Sequence, residues 1–187
     1  MIGFMYIVVG IILAVIAGIS WRLRFSFYSQ KPKDYSTQKP SFLLTEHLSG
    51  QLICEGIIFG PFGRVTSRFT ADMDAVWQGT RGTIKENFIY DNGRTQCREW
   101  TLEVNSHGSI KASASDIIGV GTGWQQGSSV HLNYRIRLPE DSGGHVLDTV
   151  DWMYLLENGS IMNRSQFRKY GIKVGELVAT IRKKDIK

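Results

Sequence analysis

Hydrophobic and polar residues alternate one by one through most of the chain after residue 50, which is the pattern of β-strands that are buried on one face. Phe69, Ala71 and Met73 fall on one parity, for example, while Asp72 and Asp74 fall on the other. Glycine-bearing turns interrupt the alternation at short intervals. The candidate strands lie near residues 50–59, 64–77, 80–90, 94–104, 109–118, 124–138, 145–157, 160–169 and 172–184.

Consecutive strands joined by tight turns predict an all-β fold, an antiparallel up-and-down barrel of about 8–9 strands. A barrel is favoured over a sandwich because closure leaves no exposed strand edge on which another chain could pair. The interior of a barrel of about eight strands is just wide enough for side chains or for one small ligand.

The N-terminal segment has a different pattern, because residues 1–21 contain no charged side chain. This length is sufficient for one transmembrane helix. A cleaved secretory signal is the alternative, since small residues occur at Ala17 and Gly18, but such a signal has basic residues before a shorter apolar run. We therefore expect a signal anchor at residues 1–21, a basic linker at residues 22–40 and one barrel domain at residues 41–187.

The formal net charge of +5 is concentrated at the two ends of the chain. Residues 22–39 contribute +4 and residues 182–187 contribute +3, which leaves the body at −2. This distribution suits attraction to anionic lipid headgroups and argues against a nucleic-acid interface. The alternative is that the terminal lysines merely keep the tails solvated.

Two hairpin loops fix the strand register in the first half of the domain. Asp91-Asn92-Gly93 and Ser106-His107-Gly108 have the form of three-residue loops that end in a left-handed glycine. Such loops place the two residues that flank them opposite each other. Counting back along the strands brings Glu86 opposite Arg98, and Arg98 opposite Asp116, on the apolar inward face.

A row of two carboxylates and one guanidinium inside a barrel must be hydrogen-bonded, because desolvating any one charge alone costs several kcal/mol. Arginine suits this position, since its planar fork can bond a carboxylate on each side. Three interpretations stay open. The row is a polar network that specifies the register, or Arg98 binds the carboxylate or phosphate of a ligand, or Glu86 or Asp116 has a raised pKa and transfers protons.

A third hairpin is predicted at Asn158-Gly159, read as a two-residue type I′ turn. That turn places Tyr154 opposite Asn163, with Tyr154 and Trp152 facing inward. Most inward asparagines simply bond a neighbour or a water, but this one could also contact a ligand. The aromatic and amide side chains that the pattern places inside the barrel, where they could line a pocket, are Trp77, Trp100, Tyr134, Trp152, Tyr154 and Asn163.

Other chemistry has little support in the sequence. The histidines have no ligand spacing, so no metal site is expected, and no nucleophile has a visible base and orienting partner. We expect no cofactor and assign no catalytic residue. Gly119-Val120-Gly121-Thr122-Gly123 precedes a strand rather than a helix, so it is read as a turn or bulge. Cys54 falls inward and Cys97 outward, so both are expected to be unpaired.

Several segments together resemble one known family. They are residues 52–63, the run Glu86-x-Phe88-x-Tyr90-Asp91-x-Gly93, Arg98-x-Trp100, residues 114–119, Asp151-Trp152-Met153-Tyr154-Leu155 with Asn163-Arg164, and residues 169–175. In combination they resemble the domain of unknown function 3833 family of bacterial envelope proteins. The resemblance implies a membrane-attached, lipocalin-like barrel, often a lipoprotein, without an established activity, and it hints at lipid metabolism.

The chain departs from the lipoprotein pattern because Ile19 and Ser20 stand where a lipid-bearing cysteine would be. The anchor must then be the helix itself, which places the protein in the inner membrane. The family resemblance implies a periplasmic barrel, whereas the basic flank after the helix favours the cytoplasm. We expect the periplasm and keep the cytoplasm open.

Three functions follow as hypotheses. The first is a membrane-tethered barrel that binds a fatty acyl chain or similar lipid, with Arg98 near its head group. The second is an enzyme that acts on such a lipid and uses Glu86 or Asp116 as general acid or base. The third is a structural or scaffolding subunit whose barrel is filled with side chains. A measurable cavity would argue against the third.

Overall fold

A computed structural model describes residues 2–184, with the side chains of residues 2, 22, 23 and 141 outside that description. Ten antiparallel strands close into one barrel. The strands are β1 (Gly50–Phe59), β2 (Val65–Gln78), β3 (Arg81–Tyr90), β4 (Thr95–Val104), β5 (Ser109–Ser113), β6 (Gly121–Gln126), β7 (Ser129–Arg137), β8 (Val146–Leu155), β9 (Ile161–Lys169) and β10 (Ile172–Lys183). Each strand pairs with its neighbours in sequence and β1 pairs with β10, so the barrel is up-and-down, as predicted.

The count of ten strands corrects the prediction of eight or nine. The predicted strand at residues 124–138 is two strands, because Gly127 adopts a φ of +54° in the turn between β6 and β7. The glycine-rich run at residues 119–123, predicted to be a turn or bulge, is only partly a turn, because residues 121–123 lie in β6. A Cβ at Gly123 would lie 1.9 Å from the His131 carbonyl oxygen, so glycine allows the backbones of β6 and β7 to approach closely.

The two ends of the barrel differ. The end where β1 begins is closed by a short helix, α2 (Leu44–His47), whose Leu44 is buried together with the flanking Phe42 and Leu48. The Phe42 amide donates to the Gly127 carbonyl at 2.7 Å, which ties this segment to the wall. At the opposite end, which we call the rim, the loops at residues 60–64, 91–94, 114–120, 138–145 and 170–171 surround the opening of the interior.

A long helix, α1 (Ile2–Arg24), precedes the barrel. Its segment Gly3–Trp21 is long and apolar enough to cross a membrane, with a mean hydropathy of 2.4, and none of it is buried against the rest of the protein. Length and composition therefore agree with the expected membrane-spanning helix.

The residues between α1 and the barrel pack on the outer wall of β8 and β9. Two 3-10 turns, Phe27–Ser29 and Pro32–Tyr35, lie within residues 27–38, which we call the strap. The Tyr35 ring lies 5.2 Å from the ring of Trp152 and 5.4 Å from that of Tyr154. At the other end of the chain, Lys184 bonds Asp72 at 2.5 Å. The rest of the predicted basic tail, residues 185–187, lies outside the described residues.

Candidate functional site

The interior of the barrel contains a cavity of about 630 Å³. Its wall is mainly apolar, with Met73, Ile84, Leu132 and Met153 among the side chains that line it. Ligand pockets in proteins typically have volumes of about 300–1,000 Å³. Side chains therefore do not fill the barrel. The cavity argues against the hypothesis of a structural subunit with a filled interior.

The predicted row of Glu86, Arg98 and Asp116 lies on the wall of this cavity. Glu86 is directly opposite Arg98 in the pairing of β3 with β4. The loop that sets this pairing has the expected form, because the Tyr90 amide donates to the Arg94 carbonyl at 2.9 Å. The register deduced from this glycine-ended loop is the observed one.

Arg98 is the centre of the polar cluster. Its Nε donates to Oδ1 of Asp116 at 3.1 Å, and its guanidinium carbon lies 4.1 Å from the centre of the Trp100 ring. The side chains of Arg98 and Asp116 are 13% and 19% exposed, so their charges are largely removed from water. The ion pair and the aromatic face stabilise the guanidinium there.

Burial raises the pKa of Glu86 from 4.5 to about 7. The Arg98 guanidinium opposes this rise, and the carboxylates of Asp151 and Asp116 add to it. Desolvation outweighs both the Arg98 cation and a hydrogen bond with Trp100, so Glu86 changes its protonation state near neutral pH. This is the range in which a general acid or base operates.

Asp151 is a further carboxylate of the cavity, and it was not expected there. It accepts hydrogen bonds from the Asn163 amide and from Ser165 Oγ, the latter at 2.7 Å, and the Tyr134 hydroxyl lies 3.5 Å away. Burial raises the pKa of Asp151, against the effect of these donors and of Arg98. The cavity wall thus carries three carboxylates and two guanidinium groups, those of Arg98 and Arg94.

Two buried atoms of this cluster have no hydrogen-bond partner among the described residues: Oε2 of Glu86 and Nη2 of Arg98. A buried donor or acceptor without a partner costs about 1–3 kcal/mol. One of these atoms accepts hydrogen bonds and the other donates them. A molecule in the cavity that carries both a donor and an acceptor would satisfy both.

The predicted register of β8 and β9 is wrong by one residue. Leu156 and Ser160 flank a three-residue loop, with the Leu156 amide donating to the Ser160 carbonyl at 2.8 Å, so the turn is not the two-residue type expected. Asn163 is consequently opposite Met153 rather than Tyr154. The shift reverses the faces of β8, because side chains alternate along a strand.

Trp152 and Tyr154 therefore lie on the outer wall, where the strap covers them, and they do not line the cavity. The Tyr154 hydroxyl donates to Gln30 Oε1 of the strap at 2.7 Å. Trp152 is fully buried there, against the ring of His131 at 4.4 Å. The two residues belong to a packed surface layer.

The remaining predicted site residues lie as follows. Trp100, Tyr134 and Asn163 line the cavity. Trp77 packs against the core near the closed end, where its Nε1 donates to the Leu48 carbonyl at 2.7 Å, and it is not part of the cavity wall. Tyr134 meets Trp100 edge to face at 5.3 Å, so these two rings form one side of the polar cluster.

The cysteines occupy opposite faces of the wall, as their parity predicts. Cys54 lines the cavity and Cys97 is exposed on the outside, and both are free thiols. Burial, followed by the nearby carboxylates of Glu86 and Asp151, raises the pKa of Cys54 to about 12. Within residues 2–184 no group of three or more His, Cys, Asp and Glu side chains is arranged to hold a metal ion.

Comparisons with known proteins support the fold. The sequence model of one family, described as a protein of unknown function (DUF3833), matches residues 22–183. No curated protein sequence matches the chain significantly. The S-type phycobiliprotein lyase CPES of Guillardia theta is similar in structure, with a TM-score of 0.59 and 12% identity over 84% of this chain and 99% of that one. Rv2717c of M. tuberculosis is also similar, with a TM-score of 0.54 and 14% identity over 79% of this chain and 99% of that one.

Proposed function

The chain belongs to the DUF3833 family of proteins of unknown function, and from that premise we propose that it is a binding protein whose barrel holds one apolar or amphiphilic small molecule, such as a lipid with a fatty acyl chain. The observation that carries this proposal is the cavity of about 630 Å³, apolar over most of its wall, with two unpartnered polar atoms buried in it. An apolar pocket with a few convergent polar groups is the usual form of a small-molecule site.

The polar cluster indicates which end of the ligand is held there. Asp116 already pairs with Arg98, and Glu86 and Asp151 lie on the same wall, so the charge of Arg98 is already balanced without an added anion. A neutral group that both donates and accepts, such as a hydroxyl, an amide or a protonated carboxyl, fits better. We assign Nη2 of Arg98 as its donor and Oε2 of Glu86 as its acceptor, with Trp100, Tyr134 and Asn163 around them.

We also propose that α1 holds the protein in the inner membrane. Its segment Gly3–Trp21 has the length and apolar character of a membrane-spanning helix, and it buries no surface against the barrel. A periplasmic barrel remains the expectation from the family, and the basic flank after the helix is the argument for the cytoplasm.

An enzyme is the second candidate, and the pKa of about 7 at Glu86 is the observation that favours it. A carboxyl that titrates near neutral pH can take a proton from a substrate and return it. The shared fold is also found in a protein named as a lyase. No nucleophile is required by this scheme, in which Glu86 would be the general acid or base and Arg98 would orient the substrate.

The test is native mass spectrometry of the full-length protein, extracted from its membrane in a mild detergent. A pair of variants provides the contrast: Cys54→Trp places an indole inside the cavity, and Cys97→Trp places the same group on the outer face. We expect a retained small molecule in the wild type and in Cys97→Trp, and its loss in Cys54→Trp. Equal retention by the two variants would overturn binding in the barrel.

A second measurement covers the case in which Cys54→Trp fails to fold. Displacement of the neutral fluorophore N-phenyl-1-naphthylamine from the wild type by native lipid extract reports an apolar site directly. No fluorescence enhancement by this probe would contradict the proposal.

A bound molecule recovered with unchanged mass after incubation favours a binding protein, whereas a chemically altered one favours the enzyme.

A further inference from the structure

The chain between α1 and the barrel meets the barrel at its open end. Ser29 Oγ donates to the carbonyl of Arg24, the last residue of α1, at 3.1 Å. The ring of Tyr28, which directly precedes Ser29, lies 5.1 Å from the guanidinium of Arg168. Arg168 in turn bonds the carbonyl of Gly171, in the rim turn between β9 and β10, at 2.9 Å. The end of α1 is therefore held beside the rim, at the opposite end from the closing helix α2.

Large apolar side chains project from three separate rim loops. Phe62 between β1 and β2 is 92% exposed, and Tyr170 between β9 and β10 is 91% exposed. Ile172, at the start of β10 beside Tyr170, is 65% exposed. Val120, in the loop before β6, is 62% exposed. Water-exposed apolar groups of this size on loop tips mark an interaction surface when they lie together.

The loops at the closed end lack this character. Their tips are Gly79-Thr80, Ser106-His107, Gly127-Ser128 and Asn158-Gly159. Trp124 in β6 and Val76 in β2, 46% and 57% exposed, lie near this end but within strands, and Leu43 and Leu156 are each 41% exposed. The apolar loop tips are thus concentrated at the end that carries the membrane-type helix.

Basic side chains accompany the apolar tips. Arg64 follows Phe62 by two positions and is exposed, and Lys169 directly precedes Tyr170. The Lys169 ammonium lies 5.8 Å from the Tyr170 ring. Aromatic rings with nearby lysine and arginine are the groups that settle in the headgroup region of a bilayer, especially one with anionic lipids.

We infer that the rim rests on the surface of the same bilayer that α1 enters, with Phe62, Val120, Tyr170 and Ile172 in its headgroup region. The mouth of the barrel then opens onto the membrane, and an apolar molecule can pass between bilayer and cavity without crossing bulk water. This orientation goes beyond ligand binding, and it rests on the proposed membrane position of α1.

The inference is tested with full-length protein in vesicles of phosphatidylcholine and phosphatidylglycerol that contain a lipid with a nitroxide near its headgroup. In a Cys54→Ala/Cys97→Ser background, a bimane fluorophore is attached at Val120→Cys on the rim or at Asn158→Cys at the closed end. We expect strong quenching at position 120 and none at position 158, and the reverse order of quenching by aqueous iodide. Equal quenching of the two positions, or none at either, would overturn the inference.

A matched pair of surface substitutions identifies the cause of docking. Phe62→Ser/Tyr170→Ser removes two exposed rings without touching the core, and we expect it to abolish most of the quenching at position 120. Leu156→Ser at the closed end should leave that quenching unchanged. Flotation of the vesicles distinguishes failure of the anchor proposal from failure of the docking inference. Protein that does not float is not anchored by α1, whereas protein that floats with unquenched rim labels is anchored but does not rest its rim on the bilayer.

Discussion

The inner wall of β3 to β5 and the outer wall of β8 and β9 both contain buried tryptophans beside polar groups, yet only the inner one borders an open cavity. Trp100 is 8% exposed and lines the cavity next to Arg98. Trp152 is 0% exposed because the strap residue Tyr35 covers it from outside. Burial of an aromatic ring therefore does not by itself mark a pocket. What covers the ring decides whether it serves binding or stability.

The same contrast holds for the charged groups. On the inner wall Glu86 is buried near one cation that bonds elsewhere, and its pKa is raised. On the outer face of the adjacent strand β10, burial acts in the same direction on Glu176, but hydrogen bonds from Lys173 and Arg164 outweigh it, and the pKa of Glu176 is lowered. The inner cluster keeps two unpartnered polar atoms that a guest could bond, whereas both carboxylate oxygens of Glu176 are bonded.

The largest expected effect distinguishes the two tryptophans. Trp152→Ala should lower the free energy of unfolding by roughly 3–5 kcal/mol, because it opens a hole between wall and strap. Trp100→Ala only enlarges an existing cavity, so we expect a loss of about 1–2 kcal/mol together with weaker retention of a ligand. Denaturant titration in detergent measures both. A larger loss for Trp100→Ala would break the comparison, and Trp124→Ala, with an exposed ring, serves as the control.

The next effect is the dependence of stability on pH. The folded-state pKa of Glu86 lies above its unfolded value of 4.5, so its contribution to stability is complete below about pH 4.5 and is lost as the pH rises through about 7. Glu86→Gln cannot ionise, and we expect it to gain about 1–3 kcal/mol on the wild type across this interval.

Glu176→Gln on the outer wall should behave in the opposite sense. Its folded-state pKa is lowered, so the wild-type carboxylate stabilises the protein above the unfolded value, and that contribution is lost as the pH falls through the folded value. Unfolding midpoints measured from acid to weakly alkaline pH test both variants. Parallel profiles for the two would show that the inner and outer clusters are electrostatically alike.

Local sequence signals were sufficient for the register of the inner wall, although Arg98 bonds Asp116 without the expected second bond to Glu86. Gly93 and Gly108 each end a three-residue loop, and parity then placed Glu86, Arg98 and Asp116 in the barrel. Gly159 ends a loop of the same kind, in which the Ser160 amide donates to Asn158 Oδ1 just as the Arg94 amide donates to Asn92 Oδ1. Reading that loop as one residue longer would have put Asp151 inside and Trp152 outside.

The rest of the outer wall could not be predicted in this way. The strap has no periodic pattern, and its position depends on tertiary contacts such as Phe27 against Arg164 and Gln38 against Ser128. The sequence pattern also failed to predict β6 as a separate strand. Gly121 and Gly123 look like turn residues, whereas the close approach of β7 is what requires them.

The smallest expected effect is a difference in thiol reaction rate between Cys54 and Cys97, which lie on opposite faces of the wall. Measuring it requires no change in stability. Burial and neighbouring carboxylates hold the pKa of Cys54 at about 12, whereas Cys97 is exposed. Since only the thiolate reacts, a maleimide near neutral pH should modify Cys97 faster than Cys54 by roughly a hundredfold or more. Mass spectrometry of timed samples should show one modified thiol in the folded protein and two after unfolding, and Cys97→Ser should show none until it unfolds. Similar rates for the two thiols would mean that the inner wall is as open to solvent as the outer one, and the contrast between a guest-binding face and a surface face would be lost.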